Sequence, residues 1–332
     1  MPQPSAEQVW QLTTQELLEF LDSKTLLQKR HQIRFYAPSF TYYKTNQFCS
    51  SPKDFPTISV TGSGCALNCK HCGGKVLATM KSAVTPEQLF ELCFKLKQNG
   101  AVGCLVSGGC LSDGSVPLKT FASAIGRVKR ELGLTVFVHT GIIDLQTAMA
   151  LKDAGVDAAL IDVIGSQEII RKVYNLKASV QDYADSLKAL QNAGLPFVPH
   201  VIVGLNDGKL DGELAALQMI SQTKPSAVVI IAFMPIARTE MAQTLPPQPE
   251  DIARVTASAR IMFPQAPLVL GCMRPKGKPR AVTDVLALKA GVDAVAFPSQ
   301  EAIDFAQKQG WVVSFSLFCC AQIFVDLQKR IF

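Results

Sequence analysis

Three cysteines fall within one short segment, Thr61-Gly62-Ser63-Gly64-Cys65-Ala66-Leu67-Asn68-Cys69-Lys70-His71-Cys72-Gly73-Gly74. The spacing is Cys-x3-Cys-x2-Cys, on a loop whose glycines let the backbone turn back on itself. Three thiolates placed this way can converge on one metal centre. A [4Fe–4S] cluster normally takes four cysteines, so three leave one iron open to a substrate or cofactor. Zinc is a second reading, with His71 completing a four-ligand set, although structural zinc usually draws on two separated ligand pairs. Chance clustering of buried cysteines is a third, and so polar a loop argues against it.

The chain holds ten cysteines. A reducing compartment would exclude a disulfide framework, leaving metal ligation, catalysis or burial. Cys110 and Cys272 end apolar runs, and Cys319-Cys320 lie on the C-terminal tail. The bland reading makes Cys319 and Cys320 apolar fillers beside Phe315 and Phe318. Cys93 and Cys104 read as core residues, and Cys49 takes no role.

The elements that must position these groups follow a regular pattern. Eight short apolar runs occur at Ile58–Val60, Val102–Val106, Thr135–His139, Ala158–Val163, Phe197–Val203, Ala227–Phe233, Leu268–Leu270 and Ala294–Phe297. Helical stretches are expected near 86–98, 117–132, 144–154, 180–193, 211–222, 248–262, 281–290 and 299–309. Continuous apolar strands alternating with helices imply a parallel sheet covered on both faces, and eight units predict closure into a (β/α)8 TIM-type barrel. An open doubly wound sheet is the runner-up, but no Gly-x-Gly-x-x-Gly follows the first run.

Residues 1–50 form a helical N-terminal extension, 51–310 the barrel and 311–332 a tail across one of its ends. Thr13 and Glu16 make a capping box for a helix running into Lys29-Arg30-His31, and the segment from Phe35 to Tyr43 reads as an irregular strap. His139 and His200 end strands and are either core histidines or cofactor contacts. Arg274 and Arg280 flank a basic loop, read as solvated or as a dock for a carboxylate or carrier protein.

The formal charge of +6, from 33 basic and 27 acidic residues, is too small to argue for nucleic acid and would suit an acidic partner. Mean hydropathy is +0.20, but no apolar stretch reaches the roughly 20 residues that span a bilayer. With no signal-peptide pattern at Met1-Pro2-Gln3-Pro4, the chain reads as cytoplasmic, without membrane contact.

Cys65-x3-Cys69-x-His71-Cys72 resembles the signature of the radical S-adenosylmethionine (SAM) enzymes. The resemblance covers residues 57 to about 300 and implies a [4Fe–4S] cluster whose open iron chelates SAM, giving a 5′-deoxyadenosyl radical that abstracts hydrogen. It places His71 near the adenine, Gly108 and Gly109 at the SAM amino group and Asp162 at the ribose. Cys110 stands where the family has an acid. Val201, in Val201-Ile202-Val203-Gly204, and Met234-Pro235 match two further cofactor-binding segments. No single side chain is implied as the catalytic one.

Within the family the chain looks most like the biotin-synthase-like branch, including a component of the two-protein lipoyl synthases. Phe35-Tyr36-Ala37-Pro38, Ser107-Gly108-Gly109-Cys110, Pro199-His200-Val201-Ile202-Val203-Gly204 and Leu270-Gly271-Cys272-Met273-Arg274-Pro275 carry that likeness. It implies a transferase inserting sulfur into an octanoyl chain on an acyl-carrier or lipoyl-domain protein. It further implies an auxiliary cluster, for which Cys110, Cys272, Cys319 and Cys320 offer four thiolates, a second radical SAM protein, and an electron donor such as ferredoxin or flavodoxin. The competing expectations are a different cofactor-biosynthesis reaction without sulfur insertion, and a non-catalytic metal-binding module.

Overall fold

The structure, a computed structural model, describes residues 4–27, 32–38, 42–49 and 54–328. Eleven strands form one sheet: β1 (Gln32–Tyr36), β2 (Thr57–Ser59), β3 (Lys81–Ser82), β4 (Gly103–Ser107), β5 (Thr135–His139), β6 (Ala158–Asp162), β7 (Phe197–Val203), β8 (Val228–Ala232), β9 (Leu268–Leu270), β10 (Ala294–Ala296) and β11 (Val312–Ser316). Their order is β11-β1-β10-β9-β8-β7-β6-β5-β4-β2-β3, and every pairing is parallel. This is the expected α/β, TIM-barrel-like architecture, with one qualification. Among the described residues no ladder joins β11 to β3, so the sheet curls without a closing hydrogen-bonded seam.

Aromatic packing bridges the gap instead. Phe55, just before β2, lies with its ring centroid 6.0 Å from Phe318, just after β11. It lies 5.8 Å from Phe137 on β5. Residues from near opposite ends of the strand order therefore meet inside the curl.

The pleat sorts side chains between two layers. On β8, Val228, Ile230 and Ala232 join the helix-side core, while Val229 and Ile231 point inward. On β5 and β6, Val136, Val138, Ala159 and Ile161 face the helices, and Phe137, Ala158 and Leu160 face inward. The same alternation brings His139, Asp162 and, beside Val198 on β7, His200 to the inner face. Because a strand buried on both faces needs no polar alternation, these strands read as unbroken apolar runs.

Both flanks join this sheet. The helix Thr14–Asp22 begins at the expected cap, with Thr13 and Glu16 bonded reciprocally. It stops at Asp22, well short of Lys29-Arg30-His31, which lies outside the described residues. Arg254 Nη1 donates to the carbonyls of Val9, Trp10 and Leu12 at 3.1, 3.0 and 2.6 Å, tying the first helix end to the barrel. Phe35 and Tyr36 are strand residues rather than part of an irregular strap. In β1, Ile33 and Phe35 enter the helix-side core, whereas Arg34 and Tyr36 turn the other way. Arg34 lies 2.8 Å from Asp326, and the Tyr36 hydroxyl donates to the same carboxylate at 2.6 Å. Burying that polar triad fastens the tail to the sheet. No helix among the described residues is long and apolar enough to cross a membrane.

Candidate metal and cofactor site

The thiol loop follows β2 and is gripped by three other loops. Ala66 N–H donates to the Cys110 carbonyl at 2.8 Å, beyond β4. Lys70 N–H donates to the Val173 carbonyl at 2.8 Å, and its own carbonyl accepts from Met241 N–H at 3.3 Å. Asn175 Nδ2 donates to the carbonyls of Leu67 and Asn68 at 3.3 and 3.1 Å. The Cys69 thiol points to the Tyr174 carbonyl at 3.5 Å, and the Tyr174 ring lies 5.0 Å from the His71 ring. Val173-Tyr174-Asn175 was not legible as part of the site, because it works mostly through backbone carbonyls. The one signal was an asparagine of the kind that tolerates positive φ, realised at Asn175 with φ 53°.

Glycine is required where β4 meets this loop. Gly109 N–H donates to the Thr61 hydroxyl at 2.7 Å, and that hydroxyl donates to the Gly64 carbonyl at 2.8 Å. A Cβ on Gly109 would sit 2.0 Å from the Gly64 oxygen and 2.6 Å from Cys65 Cβ. Both contacts are far inside van der Waals separation, so the loop would have to move. Gly109→Ala is expected to cost about 1–3 kcal/mol as overpacking. It should lower iron retained per chain after anaerobic reconstitution while the far-ultraviolet circular dichroism stays native.

The donor set fits a cluster. Ligand atoms of Cys69, His71 and Cys72 lie within 4.8 Å of one another, and Cys65 is close enough to Cys69 for their charges to interact. The hydrogen bond from Cys69, with help from His71 and the Gly74 backbone, holds the Cys72 thiol low, at about 4, whereas Cys69 is pushed up. One thiolate is thus already stabilised for a metal. His71 Nδ1 and the Tyr174 hydroxyl are buried without a hydrogen-bond partner, as expected of groups that complete their contacts with a bound molecule.

The four further thiols separate into two places. Cys110 stands by the thiol loop: burial first, then the Cys65 charge, pushes it up to about 12. Cys272, Cys319 and Cys320 gather elsewhere, packed against the inner core cluster. Cys319 interacts electrostatically with both Cys272 and His139. Among the described residues these thiols do not form a set of three within 4.8 Å. Cys93 and Cys104 are fully buried.

Gly108 adjoins Thr61. Val201 turns its side chain to the helix layer. Met234 and Pro235 begin the loop whose Met241 touches the thiol loop. Asp162 is on the inner face, with His139 Nε2 3.4 Å from its Oδ1. Arg274 is neither solvated nor free to dock a partner. It is 0% exposed and forms a two-point pair with Asp284 at 2.6 and 3.0 Å, while also donating to the Gly271 and Phe297 carbonyls. Arg280 donates to the Arg274 carbonyl at 3.1 Å. The charges at this loop buttress the end of β9.

Comparison with known proteins agrees with this geometry. Residues 59–214 match the family model of the Radical SAM superfamily. A biotin synthase of Acidithiobacillus ferrooxidans is 28% identical over 247 residues, 72% of this chain and 76% of that protein. One from Coxiella burnetii is 24% identical over 254 residues, 74% of this chain and 78% of its own. In fold, the FeFe-hydrogenase maturase HydG of Carboxydothermus hydrogenoformans superposes with a TM-score of 0.64 at 14% identity, over 97% of this chain and 77% of that one. Methylornithine synthase does so with 0.60 at 17% identity, over 88% and 81%. The segment from β2 to the loop after β7, which carries the three-thiol loop, thus belongs to the radical SAM superfamily, with biotin-synthase-like relatives.

Proposed function

We propose that the chain is a radical SAM enzyme that inserts sulfur into C–H bonds of an octanoyl chain carried on an acyl-carrier or lipoyl-domain protein. The observation that carries this reading is the pairing of the three-thiol loop with biotin synthase relatives across about three quarters of the chain. Cys65, Cys69 and Cys72 would hold a [4Fe–4S] cluster, with SAM beside it near His71 and Gly109. When bound, the cluster and SAM supply a one-electron cleavage whose product takes hydrogen from an unactivated carbon. The protein's part is to hold and shield. Gly109 lets β4 approach the loop, and Tyr174 and Asn175 fix the loop from the other side. The inner wall of Phe137, Leu160, Val198, Val229 and Ile231 is apolar, which suits an alkyl chain and excludes water. Cys272, Cys319 and Cys320, which interact electrostatically with one another, are the thiols that would hold a second, sulfur-supplying cluster. A second radical SAM protein and a ferredoxin or flavodoxin donor complete the scheme, set in the cytoplasm.

A single-cluster reaction of cofactor biosynthesis is favoured by one specific observation: Cys110 sits with the first thiol loop, and among the described residues Cys272, Cys319 and Cys320 do not all come within 4.8 Å of one another. Iron content separates the two readings, at about eight atoms per chain against about four. The deciding experiment is anaerobic incubation with SAM, reductant and an octanoyl-lysine peptide. Sulfur insertion predicts deoxyadenosine and a peptide heavier by sulfur. Deoxyadenosine without thiolation favours the second reading, and absence of deoxyadenosine leaves a metal-binding module.

A further inference from the structure

The C-terminal tail enters the curl instead of lying across its outside. After β11 ends at Ser316, Cys319, Cys320, Ala321 and Ile323 join the buried inner cluster with Phe137, Leu160, Val198 and Val229. Cys319 lies close enough to Cys272, beyond β9, and to His139, at the end of β5, for their charges to interact. Three strands separate β9 from β5 in the sheet order, so the tail crosses the interior between two well-separated walls.

Two contacts hold it there. The Asp326 carboxylate is fastened to Arg34 and Tyr36 on β1, and the Phe318 ring lies 6.0 Å from the Phe55 ring. Phe55 in turn needs glycine at position 103 on β4. A Cβ there would sit 2.5 Å from Phe55 Cε2, so any larger residue would push the ring away. Deeper in the curl Phe137, Val198, Val229 and Val269 are 0% exposed, which leaves no room for a ligand beside them. Leu105 on β4, Ile202 on β7 and Phe318 itself pack on the same inner cluster yet stay partly exposed. Only the upper part of the apolar inner wall is therefore open, and the tail closes it from below.

We propose that Phe318, backed by Phe55, is the floor of the substrate space and sets the length of alkyl chain that the protein accepts. This deepens the proposed function and rests on its alkyl substrate, not on sulfur insertion. Each methylene buried against the open wall raises affinity about four-fold. That gain ends where the chain meets the Phe318 ring. A further methylene must then stay in water or displace a close-packed aromatic pair, which costs more than it returns. Removing the ring opens space for roughly two to four methylenes, because interiors are filled at near-crystalline density. Phe318 acts by shape alone and takes no part in the chemistry.

The test uses the full-length protein with its cluster reconstituted and SAM present, without reductant, so that binding is read apart from turnover. Peptides of one sequence carry hexanoyl-, octanoyl-, decanoyl- or dodecanoyl-lysine, and calorimetry measures their affinities. In the wild type, affinity should rise about four-fold per methylene up to a limiting length and then level off or fall. Phe318→Ala should move that limit outward by roughly two to four carbons. Phe318→Leu should move it by less, and it serves as the milder change if the alanine variant folds poorly. Phe305→Ala removes a ring packed edge-on against Trp311 on the helix side, and should leave the limit in place. The proposal is overturned if the wild type binds none of the peptides or shows no limit, if both Phe318 variants keep the wild-type limit, or if Phe305→Ala moves it as far. A moved limit without any thiolated peptide under reducing conditions would instead refute sulfur insertion and leave the floor standing.

Discussion

Alanine at Cys65, Cys69 or Cys72 is expected to remove the brown iron–sulfur chromophore and to reduce SAM cleavage more than about a hundred-fold. Loss of an outer partner of a metal ligand already costs about 10–100-fold, and here a ligand itself is lost. The fold should survive. The loop is held by backbone bonds from Cys110, Val173 and Met241 that the substitutions leave in place. The control is Cys104→Ala, at a fully buried thiol, which should lower stability but keep both chromophore and cleavage. Visible absorption of the thiolate-ligated iron, iron per chain and deoxyadenosine formation are the readouts.

The second large effect concerns stability. Arg274→Ala is expected to cost about 3–5 kcal/mol, because it strands the Asp284 carboxylate, buried and without its countercharge. Both side chains are 0% exposed, and Asp284 also accepts from Ser299 N–H at 2.7 Å. Asp284→Ala should cost a similar amount. The double substitution should cost clearly less than the sum, since each single change already removes the shared interaction. Urea unfolding of the four proteins measures this. Purely additive losses would show that the two groups do not act as a pair.

The contrast between these sites shows what the sequence could reveal. Thr135–His139, Phe197–Val203 and Leu268–Leu270 are strands with the bounds expected from their apolar runs. A strand covered on both faces announces itself without any partner being known. β1 escaped that logic because Arg34 and Tyr36 interrupt the run, and only the fold supplies Asp326, 290 residues beyond Tyr36, to satisfy them. β3 is two exposed residues, Lys81 and Ser82, with no apolar pattern to read.

The thiol loop was legible because spacing alone defines its chemistry. Its supports were not. Val173 offers only a carbonyl, which any residue could provide. Arg274 looked like a surface charge because its partner lies one short loop and a helical turn and a half later, a juxtaposition that sequence spacing does not reveal. The grouping of His139, Asp162 and His200 likewise needed the strand order β5-β6-β7, which brings together residues 23 and 38 positions apart along the chain.

Electron paramagnetic resonance of the anaerobically reduced protein, recorded before and after adding SAM, tests the central claim most directly. The account predicts a reduced [4Fe–4S] signal, absent from the Cys72→Ala protein, whose g-values shift when SAM occupies the open iron. A spectrum that SAM leaves unchanged, or a silent protein holding zinc in place of iron, would contradict it.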